Sequence, residues 1–201
     1  MQRFCRVIGL LALVCCAPVA LAQSVDIDAE IRAGDDAFNS NDVIGAMRHY
    51  GNAAEAGSPD AQAKLAAIYD WSEQDDEALA LYRTSAEQGH PAGQFGLGEM
   101  YAKGEGVERD FDTAVEWFMM AAVGGHAQAQ RVLANAYETG ELGRDVDPAE
   151  ALRWLLLAAD NGDARSMSRL VEVYRDGELG AKQDPQQSMI WQKKLDALSA
   201  R

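Results

Sequence analysis

Residues 86–118 read AEQGHPAGQFGLGEMYAKGEGVERDFDTAVEWF, and the intervals inside this stretch recur along the chain. Gly89 stands 12 residues before Tyr101, as Gly57 does before Tyr69, Gly125 before Tyr137 and Gly162 before Tyr174. Leu81, Trp117 and Trp154 each lie 8 residues before the next of these glycines. Only the step from tyrosine to the following Leu or Trp varies. It is 12 residues from Tyr69 to Leu81, 16 from Tyr101 to Trp117, and 17 from Tyr137 to Trp154 and from Tyr174 to Trp191. Length variation confined to one segment is expected of two fixed helices joined by a loop that tolerates insertion.

Local chemistry supplies the helices. After each glycine an Ala-rich stretch places apolar residues at helical spacing, as in Leu65, Ile68, Tyr69 and again in Leu133, Ala136, Tyr137. This first helix ends in glycine-bearing turns at Gly104, Gly140 and Gly177, where glycine can take the left-handed backbone that closes a helix. The second helix opens at Asp110, Asp147 and Asp184. Asp147-Pro148-Ala149-Glu150 and Asp184-Pro185-Gln186-Gln187 combine a capping acceptor, proline at the first helical position and Glu or Gln three residues after the cap. Ala46, Tyr50, Ala54, Glu55 and Gly57 match Ala78, Tyr82, Ala86, Glu87 and Gly89 at a constant offset of 32, so the series begins before the first full unit. The expected organisation is a leader over 1–22, a degenerate helix pair over 23–56 and four units over 57–198, at 57–88, 89–124, 125–161 and 162–198.

The pattern in 86–107, continued by Asp110, Ala114, Trp117 and Phe118, resembles the Sel-one-like repeat, a relative of the tetratricopeptide repeat, over residues 54–195. Two positions depart from it: Leu81 stands where Trp is usual, and Val171 where Ala or Gly permits close helix packing. The resemblance implies an all-α, right-handed α-solenoid of antiparallel helix pairs with a concave groove, and a role as adaptor or scaffold. Physical reasoning points the same way, because stacked helix pairs bury a ribbon-like core and expose an extended concave surface rather than a deep cavity.

The N-terminus reads as a secretory signal peptide: Arg3 and Arg6, the apolar run Val7 to Val14, then Ala20-Leu21-Ala22 before Gln23. The run is shorter than the roughly 20 residues that span a bilayer. Lipid anchoring at Cys15 or Cys16 is disfavoured, because Val14 and Cys15 are not the small residue such processing prefers at the preceding position. Cleavage after Ala22 places the protein in the periplasm or outside the cell and removes Cys5, Cys15 and Cys16, leaving 16 basic and 32 acidic residues and a formal charge of −16. Without cysteines there is no disulfide framework, thiol catalysis or iron–sulfur site. The negative charge argues against nucleic acid, whose binding draws on Lys and Arg.

Chemistry-bearing residues have plain structural readings. His90 and His126 follow turn glycines at a helix start, where capping explains them, and His49 reads as a surface residue. The acidic runs Asp75-Asp76-Glu77 and Asp145-Val146-Asp147 suit helix N-termini and lack the spaced ligands of a calcium loop. No serine after residue 22 is followed three residues later by Lys, and no phosphate-binding glycine loop is present. No catalytic residue, metal or cofactor is therefore expected. The four tyrosines read as packing residues whose hydroxyls find local acceptors, and Trp117, Trp154 and Trp191 as core.

Partner-binding candidates are positions on the first helix that vary between units: Ala63 and Ala67, Phe95 and Glu99, Arg131 and Asn135, Ser168 and Glu172. Residues four apart share a helical face. Trp71 joins them as an exposed aromatic placed in the short first loop, with no counterpart in the other units. The resulting expectation is an exported, non-enzymatic adaptor that takes a protein or peptide, steered by acidic charge toward a partner with basic residues. The alternative is a cell-envelope enzyme or an accessory subunit of a glycan-processing enzyme, which needs a pocket with two carboxylates about 5 to 10 Å apart.

Overall fold

The computed structural model describes residues 25–200; the expected signal peptide over 1–22 lies outside them. Ten α-helices follow one another with no strand among the described residues: α1 Ile27–Asn39, α2 Val43–Glu55, α3 Pro59–Trp71, α4 Asp75–Glu87, α5 Pro91–Lys103, α6 Phe111–Val123, α7 Ala127–Thr139, α8 Pro148–Asp160, α9 Ala164–Asp176 and α10 Pro185–Ser199. Consecutive helices pack as pairs, α1 with α2 through α9 with α10, and each pair stacks on the next, with α3 also touching α5. This is an α-solenoid whose odd-numbered helices line one side.

The constant intervals come from the turn between pairs. Gly57, Gly89, Gly125 and Gly162 take φ of 95, 80, 86 and 90°, a backbone that a side chain would strain. The next residue's N–H then reaches back to close the preceding helix, Ser58 to Ala53 at 3.0 Å, His126 to Ala121 at 3.0 Å and Asp163 to Ala158 at 2.9 Å. Side chains cap the new helix: Ser58 Oγ, His126 Nδ1 and Asp163 Oδ1 accept from the backbone N–H three residues on, at 3.3, 3.3 and 2.7 Å. His90 occupies the same place without capping, and its Nε2 stands 3.8 Å from Asp60.

The variable interval has an equally specific cause. The carbonyl of each tyrosine accepts from the N–H of the residue that caps the next helix: Tyr69 from Gln74 at 2.9 Å, Tyr101 from Asp110 at 2.9 Å, Tyr137 from Asp147 at 2.8 Å and Tyr174 from Asp184 at 2.7 Å. From each cap the following Leu81, Trp117, Trp154 or Trp191 is seven residues away, so every length difference falls between the tyrosine carbonyl and the cap. The expected hydroxyl acceptors are not there. Among the described residues the hydroxyls of Tyr69, Tyr101, Tyr137 and Tyr174 meet no protein partner, and it is their backbone that is tied. Asp110, Asp147 and Asp184 cap α6, α8 and α10 through one carboxylate oxygen and two backbone N–H groups each.

The core is a ribbon of three adjoining clusters. Ala46, Tyr50, Leu65 and Ile68 begin it; Tyr82, Leu97 and Met100 continue it; Phe118, Leu133, Trp154, Leu170, Val173 and Trp191 complete it. Trp154 and Trp191 are buried as expected, while Trp117 is half-buried at the edge of the middle cluster. Leu81, where Trp is usual, bridges the first two clusters. At the other departure, Ser188 Oγ of α10 donates to the Val171 carbonyl at 2.9 Å, across the contact where Gly98 meets Ala114 and Phe118 in an earlier pair. Buried glutamines tie units together: Gln88 donates to Gln62 at 2.8 Å, and Asn161 to Gln130 at 2.9 Å. His49 is not a free surface residue. It is half-buried, with Nδ1 2.8 Å from Glu30, joining α2 to α1.

Candidate functional site

Helices α5, α7 and α9 frame an open groove with a cavity of about 490 Å³. Phe118 and Leu155 lie at its base, reached between the framing helices, and both are buried. Its polar walls carry Glu99 and Lys103 from α5, Arg131, Asn135 and Glu138 from α7, Glu141 from the short turn after it, and Arg165 and Arg169 from α9. Most of these charges answer one another. Arg131 Nε donates to Asp163 at 3.2 Å, and Asn135 donates to Glu141 at 2.6 Å. Arg169 gathers three carboxylates: Glu138 at 2.5 Å, Glu178 at 2.5 Å and Glu172 at 3.3 Å.

Two groups are left over. Among the described residues Glu99 and Arg165 make neither a hydrogen bond nor an ion pair, although both face the groove. Burial raises the pKa of Glu99, partly offset by Lys103, with Asp70 and Glu105 adding to the rise. A half-buried carboxylate without a partner is costly, and a cation from outside relieves that cost.

The sequence-derived candidates divide. Glu99, Arg131 and Asn135 come together in the groove. Phe95 lies on the same helix but packs inward, stacked on His126 at 4.6 Å between ring centroids and tilted against Phe118 at 5.6 Å. Ser168 and Glu172 are exposed on α9 and lie outside the cavity lining. Their place is taken by Arg165 and Arg169, which sequence reasoning passed over together with Lys103, Glu138 and Glu141. The groove crosses its helices obliquely: counted from the turn glycine, the lining spans positions 10 to 14 on α5, 6 to 14 on α7 and 3 to 7 on α9. A fixed repeat position therefore cannot follow it, because stacked pairs rotate relative to one another. Trp71 is 79 % exposed, but it is the last residue of α3 rather than part of the loop.

Charge is not uniform along the solenoid. Residues 25–106 hold 16 acidic and 5 basic residues, whereas residues 107–200 hold 16 acidic and 10 basic. The groove lining itself is mixed, with four cations facing three carboxylates, so the acidic excess lies elsewhere. No group of three His, Cys, Asp or Glu side chains among the described residues could hold a metal ion, and no described helix is long and apolar enough to cross a membrane.

Comparison with known proteins agrees with this architecture. The Sel1 repeat family model matches residues 59–90, 91–126, 127–163 and 164–194. A Sel1 repeat protein from Oxalobacter formigenes superposes with a TM-score of 0.75 at 28% identity, over 84% of this chain and 70% of that one. A protective antigen present in uropathogenic Escherichia coli strains, displaying an SLR fold, gives 0.68 at 30% identity over 85% of this chain, which spans only 38% of that antigen. A Sel1 repeat protein from Klebsiella pneumoniae shares the fold, with a TM-score of 0.61 at 20% identity over 87% of this chain and 93% of that one. Sel1 repeats generally serve as scaffolds for protein–protein interaction and are generally non-catalytic, and on four matched repeats this chain belongs to the Sel1 repeat family.

Proposed function

We propose that the protein is an exported adaptor that captures an extended protein segment in the groove across α5, α7 and α9. The observation that carries this reading is the pair of unpartnered opposite charges, Glu99 and Arg165, facing the same open cavity over an apolar floor. A segment with a basic side chain at one point and an acidic one further along meets both, while its apolar residues cover Phe118 and Leu155. A charge-assisted contact to the half-buried Glu99 is worth about 1.5 to 3 kcal/mol, and one to the exposed Arg165 about 0.2 to 1 kcal/mol. Export rests on the residues before Gln23 and is read directly by the mass of the protein recovered from the cell envelope, which should begin at Gln23.

The test is affinity capture from an envelope extract with the parent protein and with the combined variant Glu99→Gln, Arg131→Ala, Asn135→Ala, Arg165→Ala. Phe95 is left intact because it packs inward. A partner held by the parent and lost by the variant supports groove recognition, and added salt should weaken the capture. A partner held equally by both removes the groove from the reading.

A further inference from the structure

The first full helix pair departs from the others at two places on the groove side. Ten residues after the turn glycine the later units carry Glu99, Asn135 and Glu172, whereas this unit carries the exposed Ala67. At the last residue of the helix the later units carry Lys103, Thr139 and Asp176, whereas this one carries Trp71. Shortening the first side chain and enlarging the second leaves a socket of about 490 Å³ between α1, α2 and α3. Phe38, 52 % exposed, and Trp71, 79 % exposed, are among its lining residues, as are the buried Tyr50 and Ile68. Two large aromatics left in solvent beside an apolar recess are an arrangement that isolated solenoid stability does not call for.

The polar groups of the socket are already matched, and with an excess of negative charge. Lys64 Nζ meets Asp35 at 2.8 Å and Asp60 at 3.3 Å, while the Tyr50 hydroxyl donates to Asp35 at 2.8 Å. One cation thus faces two carboxylates. Asp36 follows Asp35 on α1, and Glu73, Asp75, Asp76 and Glu77 follow Trp71 within six residues, in the half of the chain that holds 16 acidic and 5 basic residues. An apolar recess in so acidic a half of the chain, with Lys64 already neutralised by two carboxylates, selects an apolar side chain carried among positive ones, and an exposed indole adds a face on which arginine stacks.

We propose that this socket docks a bulky apolar side chain, aromatic or leucine-sized, on a partner segment whose neighbouring residues are lysine or arginine. The inference rests on the reading of the protein as a partner-binding scaffold and adds a contact outside the α5, α7 and α9 groove.

Three capped, dye-labelled peptides test it by fluorescence anisotropy with the purified protein: Lys-Arg-Phe-Leu-Lys-Arg, Glu-Asp-Phe-Leu-Asp-Glu, and Lys-Arg-Gly-Ser-Lys-Arg. The first should bind about tenfold or more tightly than either control, weaken with salt, and shift the emission of Trp71. Ala67→Gln, which fills the socket with a side chain the size of Glu99 and Glu172 but adds no charge and suits a helix, should weaken binding about tenfold or more while leaving the circular dichroism unchanged. Trp71→Ala should do the same. Equal binding of the acidic peptide, absence of binding by all three, or full binding by Ala67→Gln overturns the proposal. So does a dimer in sedimentation equilibrium that Trp71→Ala dissociates, since the occupant is then a second copy. Arg131→Ala with Arg165→Ala should leave peptide binding intact, so a failure of the groove in extract capture is distinguishable from a failure of the socket.

Discussion

Gly96→Ala sets two magnitudes against each other. Gly96 lies inside α5, where replacing glycine by alanine normally stabilises a helix by about 0.8 to 1 kcal/mol. A methyl group built there, however, overlaps three ring atoms of Tyr82, a residue only 6 % exposed and part of the middle core cluster. The ring cannot swing freely aside, because Leu97 and Met100 of α5 and Ala78 of its own helix belong to the same buried cluster. Overpacking of this kind costs about 1 to 3 kcal/mol, and an overlap with ring atoms on a buried side chain belongs at the upper end. The net expectation is a loss of about 2 kcal/mol, which for a chain of this size lowers Tm by about 4 to 8 °C. Gly51 provides the control. It sits inside α2 with nothing within 4 Å of an added methyl, so Gly51→Ala should show the propensity gain alone and raise stability by about 0.5 to 1 kcal/mol. Urea unfolding followed by circular dichroism and by tryptophan emission measures both variants. If Gly96→Ala is as stable as the parent, or if both substitutions shift stability in the same direction, the packing argument is wrong.

Asp147→Ala removes the acceptor for the N–H groups of Ala149 and Glu150, at 3.0 and 3.1 Å, and should cost about 1 kcal/mol by urea denaturation, with Asp147→Asn retaining most of it. Arg169→Lys replaces the fork whose Nε and Nη2 meet Glu138 at 3.1 and 2.5 Å, and should lose about 1 kcal/mol, less at high salt. Glu99→Gln should raise the thermal midpoint at neutral pH. Because burial holds the folded-state pKa of Glu99 above its unfolded value, its charge destabilises the fold above that range and the penalty fades as pH falls through it, so the advantage of the variant should shrink on acidification. Asp110 has the opposite sign: hydrogen bonds from the Thr113 side chain and from the Thr113 and Asp112 backbone hold its pKa below the usual carboxylate value. Its contribution is present at neutral pH and disappears as pH falls through that lowered value, and Asp110→Ala should flatten this part of the acid unfolding curve.

The helix pairs were legible because each repeated interval has a hydrogen-bonded cause. The turn glycines need positive φ, the capping aspartates need two backbone donors, and the tyrosines mark the carbonyl on which the loop closes. Recurrence pointed to Trp117, Trp154 and Trp191 alike as core; the last two are buried, while Trp117 is half-buried at a cluster edge. The groove was half legible. Variation singled out Glu99, Arg131 and Asn135, but the rotation between pairs moves the lining along the helix, and a comparison of equivalent positions selects Ser168 and Glu172 where the surface presents Arg165 and Arg169. His49 was misread for a related reason: its partner Glu30 belongs to the divergent first helix, where no repeat alignment points to it. The negative charge was visible as a total, but its crowding into the first half and the mixed sign of the groove depend on where the chain folds each residue.

The bond from each tyrosine carbonyl to the next helix cap means that the intervening loop enters and leaves through one fixed doorway. Four residues fill it after Tyr69, eight after Tyr101 and nine after Tyr137 and Tyr174, and neither flanking helix registers the difference. These edges are therefore ports for foreign sequence. An epitope, a protease site or a second binding loop inserted between Tyr137 and Asp147 lengthens a segment whose two ends are already clamped, and lengthening a closed loop costs only about 0.6 kcal/mol per doubling. A lineage of such proteins could acquire new edge-mounted recognition elements one insertion at a time while the spine of helix pairs stayed as it is.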